Sequence, residues 1–267
     1  MSNENTQHLN KLKSINQTRL RILERQAATY GSLAVPAHIE IEINELKTTI
    51  AEIEAQLGGQ GGAQNLNRSQ NVVKILFLAA NPKGTEPLRL DQEVREIDEA
   101  LLQKAEFRDK FELKQQWAVR VSDLQAHLLR FQPDIVHFSG HGSSEGKIVL
   151  EDNNGNIRTV SEDALSQLFS LLKDNIRCVV LNACYSASQA QAISEHIDCV
   201  IGMSKAIGDT AAISFAKSFY QALGFGRSID TAFKLGVSQI DLEGLNEQDT
   251  PKLLSPNIDP QKMVFVV

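Results

Sequence analysis

Residues 135–142 read IVHFSGHG and residues 179–186 read VVLNACYS, and these two stretches decide the fold. Each is a short apolar run ending in a polar turn with one reactive side chain, His141 in the first and Cys184 in the second. Short apolar runs bounded by turn residues are the mark of strands buried on both faces, as in a parallel sheet. Open parallel sheets form their active sites outside the carboxyl ends of the strands, where neighbouring loops diverge. Side by side in one sheet, about 5 Å apart, the two strands bring an imidazole and a thiol to one crevice. Gly140 and Gly142 flank the histidine; glycine permits a sharp exit from the strand and leaves the backbone N–H groups sterically open. An acyl-transfer site needs two such donors aimed at a developing oxyanion, and the amides of Gly142 and Cys184 are the candidates. The chemistry this pattern fits is attack of the Cys184 sulfur on a peptide carbonyl, assisted by His141, through an acyl-enzyme. Taken singly, a strand-end cysteine is more often an inert small hydrophobe, and a histidine beside glycines a turn residue. Their joint placement is what favours the pair. Cys178 and Cys199 fall inside apolar runs and read as packing, as does His137.

Outward from these runs the chain alternates in type. Residues 72–80 are apolar with one lysine and predict a buried strand, and 90–107 carry helical spacing through Val94, Ile97, Leu101 and Leu102. A strand is expected over 111–119, and a helix over 122–131 with Asp123 in its first turn. Residues 147–150 and 157–160, joined by EDNNGN, read as a β-hairpin. A helix over 161–172 has Ser161 as its N-cap. Then follow a strand over 177–181, a helix over 187–196, a strand over 199–203, helices over 210–223 and 228–240, and a last strand over 263–267. Strand and helix in alternation predict an α/β domain: a mostly parallel sheet with helices on both faces.

Upstream, residues 58–71 read GGQGGAQNLNRSQN, a glycine-rich polar stretch that predicts a flexible linker. It separates a domain over 72–267 from residues 1–57, where two helices are expected over 8–29 and 36–57. The second places Ile39, Ile43, Leu46, Ile50, Ile53 and Leu57 at alternating spacings of four and three, an a/d seam. The two helices predict an antiparallel hairpin. A hairpin this short buries too little to stand comfortably alone, so its seam serves self-association or an adaptor; the plainer alternative is a spacer.

Composition narrows the function. A formal net charge of −6 over 267 residues, with no Lys/Arg run, argues against a nucleic-acid partner. No apolar stretch approaches the roughly 18–20 residues of a membrane span, and the start, MSNENTQHLN, lacks the features of a secretory signal. Three cysteines without CxxC pairs fit a reducing cytoplasm and neither a zinc site nor a disulfide framework. No metal or cofactor is called for.

At IVHFSGHG, at VVLNACYS and at the opening strand ILFLAANP, the sequence resembles the CHAT domains among the caspase, separase and gingipain-like peptidases. The resemblance covers residues 72–267. It departs from true caspases, whose cysteine signature is QAC-x-G with the histidine roughly 50 residues upstream; here Asn182-Ala183-Cys184-Tyr185-Ser186 follows His141 by 43 residues. The resemblance implies a caspase-haemoglobinase-like fold and cysteine-endopeptidase activity on protein substrates through a His141–Cys184 dyad. The Gly142 and Cys184 amides would form its oxyanion hole. Relatives use an acid after the cysteine strand to hold a basic P1 side chain, and Asp209 stands at that stage of the chain, without the Trp-Asp pair of separases. Its other reading is the N-cap of the helix beginning at Thr210. Asn81 and Arg89 would line the same mouth, unless Arg89 only pairs with Asp91 or Glu93 on the surface. The hairpin is similar to effector-associated modules that precede bacterial caspase-like domains, which implies a role in signalling or defence. The competing expectation is a catalytically silent scaffold of the same fold, with some other thiol chemistry as a third.

Overall fold

The computed structural model describes residues 16, 20, 23, 43, 46, 47, 49, 50 and 72–267. The chain divides into two units, Met1–Ser69 and Gln70–Val267. In the first, the described residues are helical, with Leu46 and Ile50 buried and Lys47 and Thr49 exposed. That contrast is what an a/d seam demands of one helical stretch. The remainder of the expected hairpin and the glycine linker lie outside the described residues.

The second unit is built on a six-stranded sheet in the order β2-β1-β3-β6-β7-β8. Its strands are β1 (Val73–Ala80), β2 (Phe111–Gln116), β3 (Ile135–Gly140), β6 (Cys178–Asn182), β7 (Cys199–Met203) and β8 (Pro251–Leu254). β4 (Ile148–Glu151) and β5 (Ile157–Val160) form the expected antiparallel hairpin beside it. All neighbours in the large sheet run parallel except β8, which is antiparallel to β7. The helices are α1 (Leu90–Asp98), α2 (Leu124–Phe131), α3 (Glu162–Leu172), α4 (Ala187–Ser194), α5 (Asp209–Gly224) and α6 (Ile229–Leu242). The fold is the expected α/β arrangement, a mostly parallel sheet covered on both faces.

The period of two along β1 divides the core. Val73, Ile75, Phe77 and Ala79 enter a cluster with residues of α1, α5 and α6. Leu76, Leu78 and Ala80 enter the opposite cluster with residues of α2, α3 and α4. β3 and β6 obey the same parity. Ile135 on β3 and Cys178 and Val180 on β6 start the α1/α5 side as apolar groups, and the positions after them on that side, His137 and Ser139 on β3 and Asn182 on β6, are polar and buried. At β3 and β6 this face of the sheet thus changes from apolar to polar as it approaches its carboxyl edge.

Several expectations are corrected. Residues 263–267 are not a strand; Met263 and Val266 are buried in the core as irregular chain, the Met263 carbonyl accepting from the Ile229 amide at 2.9 Å. The eighth strand is Pro251–Leu254. Hydrophobicity marked Met263 and Val266 for burial, but burial does not require a ladder. The helix over 90–107 stops at Asp98 and widens into a π-helical turn over Glu99–Gln103, closed by Lys104 N–H on the Glu99 carbonyl at 3.1 Å. The strand expected to reach 119 ends at Gln116, because Ala118 adopts φ 52°, a left-handed conformation that no strand accommodates. Ser161 caps α3 as expected, its hydroxyl accepting from the Ala164 amide at 3.3 Å.

Candidate active site

β3 and β6 are neighbours, and their ladder ends with Ser139 opposite Asn182. His141 and Cys184 each lie two residues beyond that last register pair, so the sheet itself delivers both to one edge. β1, on the other side of β3, delivers Asn81 there as well.

His141 is half-buried, and its Nε2 meets Asn81 Oδ1 at 3.2 Å. Burial, opposed by a hydrogen bond to the Glu86 backbone carbonyl, holds its pKa below the usual histidine value. Desolvation disfavours the imidazolium, while the Glu86 carbonyl favours it. The turn after β1 therefore grips the imidazole twice, through Asn81 and Glu86.

Gly142 explains itself by contact. A β-carbon at this position would lie 1.7 Å from the Cys184 carbonyl oxygen and 3.1 Å from the Cys184 nitrogen. Only a residue without a side chain lets the two backbones approach so closely. Gly142 also forms an antiparallel bridge with Ile148, made by Val149 N–H on the His141 carbonyl at 3.0 Å and Ser143 N–H on the Lys147 carbonyl at 2.8 Å. In such a pair the bonds belong to the flanking residues, so the N–H of Gly142 is turned away from β4. Among the described residues, neither this amide nor that of Cys184 has an acceptor within the protein.

Cys184 is partly buried, and Tyr185 after it holds φ 57°, a left-handed non-glycine residue. This turn swings the chain from β6 into α4. The sulfur packs on Ile207, accepting from its amide at 3.4 Å and meeting its carbonyl at 3.7 Å. The thiol's polar contacts are thus with the chain after β7 rather than with His141. Cys178 and Cys199 are buried, as expected; burial drives the Cys178 thiol far up and that of Cys199 up to about 12.

Asp209 does not cap α5. Gly208 holds the N-cap position and Asp209 is the first helical residue, with its carboxylate on Arg89: Nε to Oδ2 at 2.6 Å and the Arg89 amide to Oδ1 at 3.3 Å. Arg89 also reaches Thr210 Oγ1 at 2.8 Å and Gln92 Oε1 at 3.1 Å. The expected pairing of Arg89 with Asp91 or Glu93 is absent, because α1 turns Glu93 into the core while Arg89 faces α5. Arg89 and Asp209 clasp the turn that holds His141 to the segment that touches Cys184.

Sequence reasoning missed Glu93, Ser139 and Asn182, which join His137 and Tyr220 in a buried polar cluster beneath this edge. The one signal was the polar Ser139 and Asn182 interrupting otherwise apolar runs. Among the described residues, no group of three or more His, Cys, Asp or Glu is placed to hold a metal ion.

The chain resembles two curated proteins at low identity. It is 29% identical over 181 residues to a Roc-COR-CHAT protease of an unknown prokaryotic organism, covering 65% of this chain and 17% of that protein. It is 27% identical over 167 residues to a probable protease of Gillisia limnaea, covering 62% of this chain and 29% of that protein. The aligned part therefore spans well under half of either relative. Among solved structures it is similar to Caspase-1 from Spodoptera frugiperda, with a TM-score of 0.47, 11% identity, and coverage of 76% of this chain and 92% of that one. Residues 59–241, more than half of the chain and including every residue of the edge described above, match the CHAT domain, and the chain belongs to that family.

Proposed function

We propose that this chain is a cysteine endopeptidase with His141 and Cys184 as its dyad. The observation that carries the reading is the convergence of four things at one sheet edge. They are a partly buried thiol, a half-buried imidazole whose pKa burial lowers, and two amides without acceptors whose backbones touch at Gly142 and Cys184. In the reaction His141 takes the thiol proton as the Cys184 sulfur bonds to the substrate carbonyl carbon. The carbonyl oxygen becomes an oxyanion and accepts from the Gly142 and Cys184 amides. The C–N bond then breaks, the departing amine takes the proton from His141, and a thioester remains. Water gives a proton to His141 and its oxygen to the carbonyl carbon, which releases the acid product and restores the thiol. Residues of the chain supply each of these steps.

Asp209 stands two residues beyond Ile207 and is paired with Arg89, which follows Asn81 in the segment between β1 and α1, and we assign Asp209, Asn81 and Arg89 to substrate binding. The hairpin over 1–57, with its Leu46 and Ile50 seam, recruits a partner or a second copy, as befits an effector of a bacterial signalling or defence system. A reducing cytoplasm suits a free Cys184. One observation favours a second reading, a catalytically silent scaffold: the sulfur rests on Ile207, not on His141. Proteomic identification of new protein termini separates the two. Wild type should generate termini that Cys184→Ala and His141→Ala do not; an identical set from all three proteins would rule out the peptidase reading.

A further inference from the structure

Glu93 has no part in the chemistry above, yet it is a carboxylate only 2% exposed. It reaches from α1 onto the polar end of the sheet face. Oε1 meets His137 Nε2 at 2.9 Å and accepts from Asn182 Nδ2 at 2.6 Å, and Oε2 accepts from the Ser139 hydroxyl. Around this centre His137 stacks on Phe77 and meets the Tyr220 hydroxyl of α5 at 3.1 Å, while Asn182 Nδ2 also meets the Ala212 carbonyl at 3.3 Å. The five polar side chains Glu93, His137, Ser139, Asn182 and Tyr220 are all buried.

The location gives the cluster its meaning. Ser139 and Asn182 are the last register partners of β3 and β6. Beyond them the strands have no further ladder bonds to one another and are free to splay. His141 and Cys184 begin there. One carboxyl group, bonded to both strands, ties them where the backbone ladder gives out, and hydrogen bonds are directional in a way that apolar packing is not. Asn182 also leaves its Oδ1 buried without a partner. An apolar residue would avoid that penalty, so the amide is kept for what its nitrogen does.

We propose that Glu93 is a positioning residue: by holding Ser139 and Asn182 it sets the separation and orientation of His141 and Cys184. The proposal rests on the dyad reading above. The test is the pH dependence of Cys184 alkylation by iodoacetamide in wild type, His141→Ala, Glu93→Gln and Ser139→Ala, each first shown to be folded by thermal melting. Kinetic constants are measured in parallel on a peptide carrying a cleavage site found for the wild type. Glu93→Gln keeps the shape but turns one acceptor into a donor facing other donors; Ser139→Ala removes a single arm. Wild type should alkylate faster than His141→Ala near neutral pH, with Glu93→Gln shifted toward His141→Ala and Ser139→Ala between them. In the peptide assay kcat should fall about 10–100-fold for Glu93→Gln, the cost of a small misplacement of reacting groups, with KM unchanged. A folded Glu93→Gln, or a folded Ser139→Ala if Glu93→Gln does not fold, with the wild-type alkylation profile and kcat overturns the positioning role. Equal alkylation of wild type and His141→Ala would instead sink the dyad itself, and the positioning role with it.

Discussion

Gly142→Ala is the sharpest perturbation the site offers. The added methyl would stand 1.7 Å from the Cys184 carbonyl oxygen and 2.8 Å from its carbonyl carbon. Carbon and oxygen at ordinary contact need well over 3 Å, so the two backbones must part by roughly 1.5 Å. Neither can yield by rotating a side chain, since both neighbours are main chain. The His141 and Ser143 ends of the segment are pinned to β4 and to Lys147 at 3.0 and 2.8 Å. Overpacking of this kind costs about 1–3 kcal/mol, which for a domain of this size lowers Tm by roughly 3–10 °C. The effect on cleavage is larger, because a displacement of about 1 Å between reacting groups costs on the order of 100-fold. The expected result is a folded protein with kcat/KM down about 100-fold or more, measured on a peptide substrate beside a thermal melt. A Gly142→Ala protein with wild-type kcat/KM would show that the two backbones do not meet, and the paired-amide oxyanion site would be lost with them.

Three further outcomes are expected. Native protein treated with iodoacetamide should be modified at Cys184 alone, since burial holds the Cys178 and Cys199 thiols protonated; peptide mapping that finds either one modified before unfolding contradicts the burial argument. Burial lowers the His141 pKa from 6.5, so the neutral base persists to more acid pH. The acid limb of kcat/KM should then fall below pH 6.5, and the same group favours folding above that value and loses its contribution as pH falls through the lowered pKa. An acid limb above the ordinary histidine value would mean that the imidazolium is the favoured form. If Asp209 receives a basic P1 side chain, it must first release Arg89, held at 2.6 Å. Arg89→Gln should then raise kcat/KM for peptides with Arg at P1, and Asp209→Asn should lower it for those peptides alone; equal changes for all P1 residues would confine the pair to clasping the two loops.

The runs at 135–138 and 179–181 were legible as buried strands because burial on both faces leaves them apolar save for His137, while the polar Ser139 and Asn182 that follow them still pair in the ladder. Position 142 demanded a glycine for a reason visible in outline from the sequence, an open amide, while its cause, the Cys184 carbonyl, lies 42 residues away. The ends of elements were less legible. Gln116 closes β2 because Ala118 takes a left-handed φ, and nothing about alanine announces it. Met263 and Val266 of the last apolar run fill the core without strand pairing, since hydrophobicity sets depth and not hydrogen-bond partners.

The sequence by itself determined the α/β class, the two chemical groups at the ends of apolar runs and the glycine between them, all properties set by local pattern: period, turn chemistry and side-chain type. Only the tertiary structure decided the partners. It placed Asn81 on His141, Ile207 on the Cys184 sulfur, Arg89 on Asp209, and Glu93 across β3 and β6. Each of these contacts joins residues 20 or more positions apart, and a pairing at that distance follows from sheet order and helix rotation, which no local pattern along the chain encodes.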